Sequence, residues 1–101
     1  MVVAVSVLEL HIPASRSLKE KRRVVKALTE RIHQRYRVSI AETDYHDLHQ
    51  RAQIAIAVVH SSRSELERLL ERIRDHVEEV PGAMVTSWDP FFLEEDRKSV
   101  V

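Results

Sequence analysis

Apolar and polar positions change their spacing several times along the chain, and each change marks an element. Val2 to His11 is rich in β-branched residues and too short for a core helix, which predicts a strand that Pro13 ends. Ser17-Leu18-Lys19-Glu20 has the spacing of a capping box, in which the Ser17 hydroxyl and the Glu20 carboxylate satisfy backbone N–H groups at a helix start. Leu18, Val24, Val25, Leu28 and Ile32 then recur at helical spacing and predict a helix running to about Arg35. Val38, Ile40 and Glu42 alternate with Ser39, Ala41 and Thr43, the pattern of a half-buried strand. After a polar stretch from Asp44 to Arg51, a second alternating run from Ala52 to His60 puts Ile54, Ile56 and Val58 on one face and Gln53, Ala55, Ala57 and Val59 on the other. Ser64 and Glu67 make another capping box, with Ser62 and Glu65 as the alternative register. Leu66, Leu69, Leu70, Ile73 and Val77 give a second helical stripe that ends before Pro81-Gly82. Ala83 to Trp88 reads as the last strand. Pro90 interrupts it, and Phe91, Phe92 and Leu93 either resume an edge strand or fold back over the sheet.

The order is strand, helix, strand, strand, helix, strand. With right-handed crossovers the two βαβ halves interleave into a ferredoxin-like α+β domain, a four-stranded antiparallel sheet with both helices on one face, spanning residues 1–101. The uncovered face then carries Ala55, Ala57 and Val59, an apolar patch expected to be covered by a second copy or by the Phe91-Phe92 tail. A homo-oligomer joined at the sheet face is the expected assembly, and a structural protein–protein module using that face is one functional alternative.

Composition narrows the chemistry. In 101 residues there is no cysteine and a single glycine, Gly82. This excludes disulfides, thiolate metal sites and Gly-rich phosphate loops, and with them Walker-type and dinucleotide-binding enzymes. No serine sits in a nucleophile elbow, and Glu78-Glu79 and Glu94-Glu95 are sequence neighbours that point apart. No enzyme activity and no cofactor are expected. The first basic residue is Arg16 and Pro13 stops the initial apolar run, so neither a signal peptide nor a membrane span is predicted, and the expectation is a cytoplasmic protein.

Several of these segments carry a resemblance. The run Arg16-Ser-Leu-Lys-Glu-Lys-Arg-Arg-Val-Val-Lys, the Ala41-Glu42 strand end, His46-Asp47-Leu48 and Gln50-Arg51-Ala52 resemble the YlxP-like family of small bacterial proteins, a family of unknown function, over residues 1 to about 75. The stretch from Trp88 onward matches poorly. The resemblance implies a ferredoxin-like fold and, through the frequent neighbourhood of its genes with translation and ribosome-maturation factors, a role around RNA.

The charges balance overall, 16 basic against 16 acidic, but not locally. Arg16 to Arg37 holds nine basic and two acidic residues (9 − 2 = +7), and Arg63 to the end six basic and ten acidic (6 − 10 = −4). Arg16, Lys19, Arg22, Arg23, Lys26 and Arg51, with His11, His46 and His49, are expected at one end of the molecule together with the N-terminal dipole of the first helix. That predicts an anion site for an RNA backbone or a ribosomal particle. The competing expectation is internal neutralisation, with Glu78 and Glu79 near the basic helix start and Glu65 and Glu67 near Arg31 and Arg35. Strands one and three lack aromatics, so RNA would be held by phosphates and shape rather than by base stacking. Asp44, His46, Asp47 and His49 raise the alternative of a metal-binding protein or metal-dependent enzyme using the His46/Asp47/His49 loop. Tyr36 and Trp88 read as core or rim packing.

Overall fold

The computed structural model describes residues 1–95, and in it the alternating segment Val2–His11 forms strand β1, every even-numbered residue of which is buried. Helix α1 (Leu18–Tyr36), β2 (Ser39–Asp44), β3 (Arg51–His60), α2 (Arg63–Glu78) and β4 (Met84–Glu94) follow. The strands pair antiparallel in the order β2-β3-β1-β4, as two interleaved βαβ units require, so the fold is ferredoxin-like.

The core lies between the sheet and the helices. Leu8, Leu10, Ile54 and Ile56 project from the central strands against Val25, Leu28 and Ile32 of α1 and Leu66, Leu70, Ile73 and Val77 of α2. The odd-numbered residues of β1 and β3 point the other way, onto a face that neither helix covers. Among the described residues no helix is long and apolar enough to cross a membrane.

Polar side chains set the helix boundaries. The Ser17 hydroxyl accepts from the Glu20 N–H at 3.1 Å and caps α1. At α2 the alternative register is realised, because Ser62 accepts from the Glu65 N–H at 3.4 Å while Ser64 packs hydroxyl to hydroxyl against it at 3.2 Å. Arg37 ends α1 in the left-handed region (φ 54°), a position that favours glycine, and donates its N–H to the His33 carbonyl at 2.9 Å.

One expectation about the last strand is corrected: β4 does not stop at Trp88 but runs through Pro90 to Glu94. Of the two alternatives for Phe91, Phe92 and Leu93, the edge strand is realised and the fold-back over the sheet is not. Proline is tolerated because β4 is an edge strand, where one N–H faces no neighbour. Phe91 pairs with Val5 and stands 65% exposed on the open face, whereas Phe92 pairs with Ala4 and packs against the core.

Candidate nucleic-acid interface

The first turns of α1 emerge at the end of the sheet where β1 finishes and the β2–β3 loop begins. Lys19, Arg22, Arg23 and Lys26 recur at the i, i+3, i+4, i+7 spacing of one helix face, and all four are exposed. They form a ridge about 10 Å long. Among the described residues none of the four, nor Arg16, has a carboxylate within ion-pairing distance.

The carboxylates expected to neutralise this segment are engaged elsewhere. Glu78 pairs with Arg74 one turn back at 3.1 Å, Glu67 with Arg63 at 3.0 Å and Glu65 with His60 at 3.4 Å. Glu79 shares a depression with Arg35 and Tyr36, at the far end of α1 from the ridge. Just before the helix the Glu20 carboxylate accepts from the Arg16 N–H at 2.6 Å and places a negative charge at the positive end of the dipole. An anion at this end would therefore be held chiefly by the ridge side chains.

One of the nine basic residues does not belong to this surface at all. Lys21 is wholly buried, at the position where the α1 stripe of Val25, Leu28 and Ile32 continues one turn toward the N-terminus. Its ammonium lies 2.9 Å from Glu42 Oε2, donates to the Tyr45 carbonyl at 2.7 Å and reaches the His46 carbonyl at 3.5 Å. Glu42 Oε2 is sealed from solvent, and this contact is ionic, off the hydrogen-bonding direction. The pair pins the β2–β3 loop to the head of α1. Exposed charge between Arg16 and Arg37 is thus eight basic against two acidic residues (8 − 2 = +6).

Arg51 is also separated from the ridge. It projects from the first residue of β3 onto the open face, across the sheet from α1, where it pairs with Glu9 at 3.5 Å and covers the Tyr45 ring at 4.3 Å. The Tyr45 hydroxyl donates to Glu9 Oε1 at 2.9 Å, and this hydrogen bond, ahead of partial burial and the Glu9 charge, raises the phenol above its ordinary value. Tyr45 adopts φ 62°, a strained choice for a side chain of this size, and holds it because Lys21 and the Leu48 N–H both bind its carbonyl. Sequence reading missed Lys21 and Tyr45 as organisers of this end.

The loop residues do not converge on a metal geometry. His46, Asp47 and His49 are all exposed, and among the described residues no group of three His, Asp or Glu side chains could hold one ion. His49 instead lines a shallow cavity of about 260 Å³ with His11, Leu48, Gln50 and Arg51. Tyr36 and Trp88 are half-buried against the core, as expected.

Comparison with known proteins agrees with this architecture and extends the match found in the sequence. Over 65 residues the chain is 42% identical to the uncharacterized protein YlxP of Bacillus subtilis (strain 168), an alignment covering 64% of this chain and 71% of that protein. Among solved structures, the de novo designed protein LFR1 1 with ferredoxin fold aligns over 100% of this chain and 92% of its own at a TM-score of 0.53 and 15% identity. A second design, Foldit4, aligns over 95% of this chain and 100% of its own at 0.54 and 15% identity. At such identities these likenesses concern the fold alone. A family model described as "Protein of unknown function (DUF503)" matches residues 3–89, so the chain belongs to the DUF503 family, the family that includes the YlxP-like proteins.

Proposed function

We propose that this chain binds structured RNA, free or within a ribonucleoprotein, through the exposed ridge Lys19, Arg22, Arg23 and Lys26, with Arg16 beside it. The observation that carries the reading is that these cations share one helix face without a carboxylate partner among the described residues. Cations so placed neutralise phosphates and release counterions, and they read little base sequence. Affinity for a ribosomal RNA fragment should fall by about 3 log units per log unit of salt for four phosphate contacts. Changing Arg22, Arg23 and Lys26 together to Ala should weaken binding across sequences and flatten that slope by about 2–3 units. Undetectable binding at low salt, or a triple variant that binds as wild type does, removes the proposal.

A second reading, self-association at the open sheet face, is supported by a different observation. Phe91, Leu93 and Val59 are 65%, 58% and 65% exposed on that face, more apolar surface than a solvated strand ordinarily displays.

A further inference from the structure

The open face has a shape as well as a polarity. Register places Val3 beside Val59 and Leu93, Val5 beside Ala57 and Phe91, and Val7 beside Ala55 and Asp89. Ala41 of β2 continues the Ala55 row. Large side chains therefore stand on β4, at one edge, and the small residues Ala55, Ala57 and Ala41 leave a hollow along β3 and β2. Between the two runs β1. At the Val5 row knob and hollow lie at equal distance from β1, Phe91 to one side and Ala57 to the other, about 4.8 Å away.

A two-fold axis parallel to β1, lying between two facing sheets, carries β4 of one copy over β3 of the other without changing the row. We infer that a second copy of this chain packs on the open face about such an axis, each Phe91 filling the hollow over the partner subunit's Ala57. This rests on the self-association proposed above and adds its geometry. The surface is self-complementary, as an isologous interface requires. An axis across the strands would instead set Phe91 against its own symmetry copy and leave the alanine hollow empty.

Size and charge agree with this occupant. Four strands about 4.8 Å apart and about seven residues of strand length give a footprint near 450 Å², or roughly 600 Å² of accessible surface per copy. The total of about 1,200 Å² is at the lower edge of stable interfaces, so a reversible dimer is expected. On β4 the patch ends at Asp89, at the sheet edge, and on β1 it ends beyond Val7 at Glu9, whose charge is met within its own copy by Arg51 and the Tyr45 hydroxyl. Like charges on the axis are thereby muted, and the cluster forms the polar rim. In this dimer the two α1 ridges lie toward the same end of the assembly, on opposite outer faces.

Sedimentation velocity of the full chain over a concentration series tests the arrangement with a swap. Phe91→Ala empties the knob and Ala57→Phe fills the hollow; each should weaken dimerisation about 30-fold or more. The double variant exchanges knob and hollow and should restore it to within a few-fold of wild type. Both positions are exposed in the monomer, and unchanged circular dichroism and thermal midpoints check that the fold is kept. A wild type that stays monomeric at 200 µM overturns the interface and the self-association reading together. If the wild type dimerises but the swap does not restore, the two-fold along β1 is wrong and self-association stands.

Discussion

Removing the charge of Lys21 should destabilise the protein more than removing any other charge of α1. Lys21→Met keeps the length of the stem and deletes the ammonium, leaving Glu42 Oε2 sealed from solvent without its cation. The Tyr45 carbonyl keeps the Leu48 N–H at 3.0 Å, so the larger part of the loss is the stranded carboxylate. Breaking a buried pair from one side costs about 3–5 kcal/mol. The Glu42 side chain retains 15% exposure and can recruit water, which puts the expectation at about 3 kcal/mol. For a domain whose whole stability is about 5–15 kcal/mol this is a large fraction. With a urea slope near 1.5 kcal/mol/M the midpoint should fall by about 2 M.

The cycle separates the charge from the packing. Glu42→Leu alone strands the ammonium, while Lys21→Met with Glu42→Leu removes both charges and should return to within about 1 kcal/mol of wild type. The two single losses together should therefore exceed the double loss by about 3–5 kcal/mol, which is the coupling. A Lys21→Met loss below about 1 kcal/mol, or single losses that add within about 0.5 kcal/mol, would falsify the assignment of a buried, coupled pair.

Three further expectations test other parts of the structure. Ser6→Ala should raise stability by about 1 kcal/mol, because the buried Ser6 hydroxyl has no hydrogen-bond partner among the described residues; a loss on urea unfolding counts against this. Arg37→Gly should stabilise by about 0.5–1 kcal/mol by relieving the left-handed residue at the end of α1, and a lower urea midpoint would contradict that strain. The raised Tyr45 phenol stabilises the fold fully below pH 10, the unfolded value, and that contribution disappears as pH climbs through the higher folded value. Absorbance at 295 nm should show a late-ionising component that Tyr45→Phe abolishes; a component at or below the ordinary tyrosine range is inconsistent with the Glu9 hydrogen bond.

The fold was legible because period and punctuation agree. The change from alternation to helical spacing at Ser17, and back at Val38, coincides with a capping serine and with the end of an apolar stripe. The last strand was less legible. Pro90 argues against a strand when read alone, and its tolerance depends on β4 being an edge, which is a property of the topology. Exposure of the ridge was legible, but the fate of its neighbours was not. A residue's spacing says which face it occupies, not which carboxylate its rotamer reaches, so the separation of Arg51 from the ridge and the pairing of Glu78 with Arg74 depend on tertiary packing. For Lys21 a signal existed. It stands four residues before Val25 in the inward stripe, and Glu42 follows Ile40 on the inward side of its strand. Opposite charges in apolar positions of two successive elements are a pattern for a buried pair, and counting Lys21 with the surface cations hid it.

The same accounting explains how a chain of zero net charge keeps a cationic ridge. At this end of the molecule, Glu20 is held by the backbone before α1, Glu42 by Lys21, and Glu9 by Tyr45 and Arg51. Each of these acids has a structural partner that fixes its direction. Three acids of α2, Glu67, Glu78 and Glu65, are likewise held on their own layer by Arg63, Arg74 and His60. Part of the negative charge is thus tied up in local pairs, while Lys19, Arg22, Arg23 and Lys26 are left outside them. At physiological salt, where screening acts over about 8 Å, a phosphate approaching α1 feels the four ridge cations, with Glu20 and Glu30 beside them, more than the acids of α2. Releasing one of those acids should therefore matter: Lys21→Met, which frees the Glu42 charge beneath the ridge, should weaken RNA binding although Lys21 never reaches solvent. Unchanged binding by a folded Lys21→Met protein would mean that the buried pair and the ridge are electrostatically independent.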